Sequence, residues 1–152
     1  MVFFYVELKS KTMDFAEIFS NLNYWAILVA TLSTFVIGSL WYSPVMFVEK
    51  WMKLNGFTRE SLKENSRPMA TIMGMSFVTS LLAAVALAMF LGAESNLGFG
   101  VFAGLMIGIF WIGTARFNNV LYENQKLALF LIHAGYDVVS YAIMGAIIGG
   151  WH

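Results

Sequence analysis

Four long runs with almost no charge decide what this chain can become. They cover about residues 24–42, 69–92, 97–114 and 127–151. Each is roughly 20 residues, the length an α-helix needs to cross the hydrocarbon of a bilayer. A soluble domain carries about 25% charged residues, whereas this chain carries 12% against a hydrophobic fraction of 59%. The expected fold is an all-α membrane protein: four transmembrane helices in a tight bundle over residues 23–152, behind an N-terminal extension of residues 1–22.

The ends of the runs carry their own signals. Tyr24 and Trp25 open the first span and Trp41 and Tyr42 close it, as in an interfacial aromatic belt. Ser43-Pro44 then ends or kinks the helix, because proline disfavours helical geometry in the residue before it. From Val45 to Asn55 the apolar residues Phe47, Trp51 and Leu54 recur at helical spacing beside a more polar face of Met46, Lys50 and Lys53, which predicts a short interfacial helix. Gly56 is placed to close it, and Thr58 to cap a second polar turn with Glu60 near its start. The short connection at residues 93–96 makes spans two and three antiparallel neighbours.

Charge sets orientation. Lys50, Lys53, Arg59, Lys63 and Arg67 lie between spans one and two, and Arg116 and Lys126 between spans three and four; the other side has only Lys9 and Lys11. By the positive-inside rule both long loops are cytoplasmic and both termini outside, in a plasma membrane of bacterial type. A start at Met13, with Asp14 and Glu17 opening a short turn, would remove both outside lysines, and no cleavable signal peptide is apparent. Nine basic residues balance nine acidic ones, so net charge gives no case for nucleic acid. Cysteine is absent, which excludes disulfides, thiolate metal sites, cysteine nucleophiles and covalent haem attachment. No phosphate-binding loop, HExxH metal site, nucleophile elbow or dinucleotide fingerprint occurs. The expectation is no cofactor, no metal and no catalytic residue.

Helices in lipid associate through small residues, and here they step by four in every span. Ala26, Ala30, Thr34 and Gly38 are followed by Ser76, Ser80, Ala84, Ala88 and Gly92, then by Gly100, Gly104 and Gly108, and last by Ala142, Ala146 and Gly150. Close packing, within one chain or between copies in a homo-oligomer, is the expectation. Gly38 and Trp41 match Gly108 and Trp111, and Glu64-Asn65-Ser66-Arg67 resembles Glu123-Asn124-Gln125-Lys126, a pattern that admits a two-span tandem repeat. Trp41, Trp51, Trp111 and Trp151 read as interface anchors, and the ten methionines as filler between helices.

The segments NYWAILVA and GSLWYSPVMF, Trp51, the pair Asn118-Asn119 and LFLIHAGYDVVSYAIMGAIIG together resemble the domain of unknown function 1761 family, small bacterial and fungal membrane proteins. The resemblance runs from about Asn23 to the C-terminus, with the WYSP step and the AGY segment as its distinctive parts. It implies a four-span membrane domain and carries no reaction, substrate or cofactor. It also implies a less acidic residue where Asp137 stands.

Asp137 is the ionisable residue deepest in a span, about 15 Å along the fourth helix, and such a residue is a functional hypothesis by default. His133 is one turn earlier on the same face. Depth counting puts Ser33 or Thr34, and Thr79 or Ser80, level with Asp137, so His133, Asp137, Thr34 and Ser80 form the expected polar core. The plainer reading is a carboxyl that is simply protonated or hydrogen-bonded within the bundle. Arg116 snorkels to the headgroups in the plain reading. In the functional one it grips an anionic headgroup or substrate with Asn118, Asn119, Lys126 and Tyr42. Three roles stand: a self-associating transport or conduction protein working through His133 and Asp137, an accessory subunit binding lipid or another membrane protein, and a small membrane enzyme acting on a lipophilic substrate.

Overall fold

The computed structural model of the chain describes residues 19–65 and 67–151. The expected start at Met13, the Asp14 and Glu17 turn, Lys9, Lys11 and Ser66 of the matched loop segments lie outside the described residues. Within them the chain is helical and has no strand. Helix α1 is Tyr24–Trp41, α2 Val48–Asn55, α3 Arg59–Asn65, α4 Met69–Leu91, α5 Leu97–Tyr122 and α6 Leu127–Gly150. Four of these, α1, α4, α5 and α6, are long and apolar enough to cross a membrane.

Local chemistry sets several of the boundaries. The Asn23 and Asn96 side chains accept from Ala26 N at 3.0 Å and Phe99 N at 2.9 Å, capping α1 and α5. Gly56 ends α2 at φ 73° and Gly92 ends α4 at φ 70°, left-handed values that a side chain rarely adopts. Gly92, expected in the packing stripe, is therefore a helix-ending residue, and a Cβ there would meet nothing within 4 Å. The Thr58 hydroxyl accepts from Ser61 N at 3.1 Å and opens α3.

The third long helix is longer than the span read from the sequence. It was expected to stop near Thr114, where polar residues begin, but α5 runs on to Tyr122. Within it Ile107–Gly113 is wound as a π-helix, whose wider turn holds more residues than an α turn. The α6-facing stripe is Gly100, Gly104 and Gly108; the next glycine, Gly113, comes after a step of five, is buried, and lines a cavity with Ala134 and Val138 of α6. Phe117 follows, stacked edge-on against Phe130 of α6 at 5.3 Å.

Helix α6 is central: it packs on α1, α4 and α5, most extensively on α5. The α5–α6 approach is close enough that a Cβ on Gly100 would strike the Gly145 backbone, one on Gly104 the Tyr141 and Ala142 backbone, and one on Gly108 would lie 2.7 Å from Val138 Cα. Ala84 and Ala88 sit in an apolar core with Ile27, Ala30, Leu87, Met144 and Ile148. That core fills the half of the molecule on the side of the α4–α5 turn. On the loop side α4 leans on α1, through Phe35 and Phe77 with ring centroids 6.3 Å apart, and Met69 to Ser76 are all exposed. Helix α4 makes few contacts with α5, so the two diverge. Large apolar side chains such as Trp25, Val36, Leu82, Phe110 and Leu131 face outward, an exterior suited to hydrocarbon rather than water.

The residues matched between the two halves take different places. Trp41 ends α1, while Trp111 lies mid-way along α5. Gly38 faces the Tyr136 ring and Gly108 faces backbone.

Candidate functional site

The loop-side half of α6 carries the polar residues, and α1 anchors it. Trp41 Nε1 donates to the Ile132 carbonyl at 3.0 Å, with its ring laid over Gly135, where a Cβ would come within 2.9 Å of it. One turn along, Tyr136 donates its hydroxyl to the Thr34 carbonyl at 3.3 Å, and its ring rests on Gly38. These contacts fix the rotation of α6, which sets His133 beside Tyr42 at the end of α1 and turns Asp137 toward α5.

His133 and Asp137 share a face but engage different partners. The His133 Nδ1 and the Tyr42 hydroxyl lie 2.9 Å apart, with Tyr42 stacked among His133, Tyr136 and Trp51. Asp137 takes Arg116 of α5: Nε donates to Oδ2, and Nη2 lies 3.4 Å from Oδ1. The carboxylate side chain is 10% exposed and the guanidinium 40%. A buried charge needs a partner, and this one is met by a cation from the neighbouring span. A guanidinium would not fit the glycine-close face of α5. The π turn gives that face to Gly113 and Phe117, leaving Arg116 on its flank beside Asp137.

The expected polar core is thus divided. Thr34 Oγ1 donates to Ser80 Oγ at 3.2 Å and to the Thr31 carbonyl at 2.7 Å, joining α1 to α4; neither hydroxyl bonds Asp137. The expected headgroup cluster is dispersed as well. Arg116 is held by Asp137, Tyr42 by His133, and Lys126 donates to the Leu54 carbonyl at 2.8 Å, tying the start of α6 to α2. Asn118 lines a cavity of about 470 Å³ with Phe117, Phe130 and Val138. The Asn119 carbonyl receives Glu123 N at 3.0 Å at the end of α5. Among the described residues, no three His, Cys, Asp or Glu side chains come together.

Two apolar cavities lie where α4 and α5 diverge. One, about 400 Å³, is lined by Phe90, Phe102, Met106 and Trp111 among others, and its neighbour, about 290 Å³, by Ala86, Phe90, Ile107, Trp111 and Tyr141. They share Phe90, Ile107 and Trp111, and Tyr141 is one turn from Asp137. Tyr141 and Trp111 at this position were not singled out from sequence. The signal available was Tyr141 at four residues from Asp137 and eight from His133, a polar stripe along α6.

No curated protein and no solved structure matches the chain. A family profile described as protein of unknown function (DUF1761) does match, over residues 25–149. That is nearly the whole of the four-helix region, so the chain belongs to this family of membrane-type helical proteins whose function is uncharacterised.

Proposed function

We propose that the protein is a small transport or conduction protein of a plasma membrane, with its long loops cytoplasmic, whose working element is the Arg116–Asp137 pair. The observation that carries this is the ion pair itself, joining α5 and α6 within the spans. A well-packed apolar pair would be at least as stable there, so the charges suit a role that stability does not require. Proton uptake by Asp137 would dissolve the pair and leave Arg116 able to take a passing anion or solute. His133 lies one turn from it, with its Nδ1 hydrogen-bonded to the Tyr42 hydroxyl, which ties the imidazole tautomer to the orientation of that hydroxyl.

The test is proton and ion flux in liposomes containing the purified protein, across a pH range, for wild type and Asp137→Asn. Flux that is lost in a folded Asp137→Asn variant supports the reading. Equal flux in both, or none in either, sinks it. A second reading, an accessory protein that binds lipid, is favoured by the apolar cavities between α4 and α5. Self-association belongs to both readings, supported by the uncovered Met69–Ser76 stretch of α4.

A further inference from the structure

The two cavities between α4 and α5 run along α5 from Phe99 to Trp111, about 18 Å by the helical rise. They are lined almost wholly by apolar side chains and open sideways, where the hydrocarbon would be. Such a slot alone would hold any lipid tail. What distinguishes this one is its loop-side end. Tyr141 lines the second cavity with Trp111, Asp137 follows one turn toward the loops on the same face of α6, and Arg116 lies on that carboxylate.

Arg116 is not used up by Asp137. A guanidinium has five N–H donors, and Asp137 engages two, one of them at 3.4 Å. The other three have no partner among the described residues, while the carboxylate oxygens beneath are covered. The pair therefore presents donors, not acceptors, one turn along α6 from Tyr141 on the cavity wall. Donors left without a protein partner favour a ligand that supplies acceptor oxygens.

We infer that this groove binds a single-chain lipophile with a hydrogen-bond-accepting head, such as a long-chain carboxylic acid or its ester, with the chain against Phe90, Phe102 and Trp111 and the head oxygen on Arg116. The two cavities hold about 400 and 290 Å³ and share three lining residues, room suited to one long hydrocarbon chain. The inference deepens the lipid-binding reading and does not depend on conduction, so an absence of flux leaves it standing.

The probe is a 16-carbon carboxylic acid carrying a photoreactive diazirine near its chain terminus, added to vesicles containing the protein, with adducts mapped by mass spectrometry. Adducts are expected on Phe90, Phe102, Ile107 or Trp111. Unlabelled acid and its methyl ester should compete at least tenfold better than the alkane of equal length. Ala86→Trp, at an exposed position on the cavity wall, should block labelling while leaving the Arg116–Asp137 pair intact. The double variant Arg116→Leu/Asp137→Leu should fold and lose the preference for acid and ester over alkane. Adducts spread evenly over outward residues such as Val36 and Leu131, or equal competition by the alkane, would overturn the assignment.

Discussion

Replacing the two members of the Arg116–Asp137 pair one at a time should have unequal effects. Arg116→Leu leaves a carboxylate that is 10% exposed and roughly 15 Å from the loop-side end of α6, too short to reach water. Breaking a buried pair this way costs about 3–5 kcal/mol. Asp137→Leu leaves a guanidinium already 40% exposed, six residues or roughly 9 Å from the end of α5, with a long side chain that can extend toward the headgroups. Its loss should be nearer 1 kcal/mol, the upper range for a solvent-reaching pair. The double leucine variant removes both charges and should return to within about 1 kcal/mol of wild type, since apolar replacement of a buried pair is often neutral. Reversible unfolding in mixed micelles, run as a double-mutant cycle, reads all three. If Asp137→Leu proves the more damaging single change, or the double variant falls as far as Arg116→Leu, the asymmetry of burial is not what governs this pair.

Three further outcomes follow from the packing and topology. Gly104→Ala should destabilise by about 1–3 kcal/mol or more in the same assay, because its Cβ meets the α6 backbone, which has no rotamer to change. Gly74→Ala, where a Cβ meets nothing within 4 Å, should be neutral or slightly stabilising; similar losses for both would remove close approach as the cause. Tyr42→Phe should lose about 1 kcal/mol and release the tautomer of His133, seen as a change in its ring nitrogen shifts by NMR; an unchanged imidazole spectrum would mean that the hydroxyl does not set it. Because the chain has no cysteine, Lys53→Cys and Glu94→Cys can each report sidedness in intact cells. An impermeant thiol reagent should label the Glu94 position alone, and the reverse pattern would invert the orientation.

The spans were legible because each is long and apolar, with Ser43-Pro44 after the first and Gly56 after the interfacial helix as end signals; the Asn23 and Asn96 caps and the helix-ending role of Gly92 came only from the structure. That the third helix runs on past Thr114 was hidden for a physical reason. Arg116, Asn118 and Asn119 are polar enough to suggest the membrane surface, and only the position of Asp137 on another helix makes a charge tolerable deeper in. That same polarity hid the partner of Asp137. With Arg116 assigned to the headgroups, depth counting offered hydroxyls instead, and Thr34 and Ser80 turned out to serve each other. The link between Tyr42 and His133 was also out of reach, since it depends on how α1 rotates against α6 through Trp41 and Gly135. The π turn left one trace in the sequence, a change from four-residue to five-residue spacing between Gly108 and Gly113.

That wide turn also sets which side chains the far half of α5 offers to α6. If Ile107–Gly113 were rewound as ordinary α-helix, everything beyond it would advance by about 1.5 Å and rotate by about 100° per residue released. Phe117 would leave Phe130, and Arg116 would swing off the carboxylate that neutralises it. The short glycine contacts before the turn would not need to move at all. One half of the helix can thus stay clamped to α6 while the other half changes which side chain it offers to Asp137.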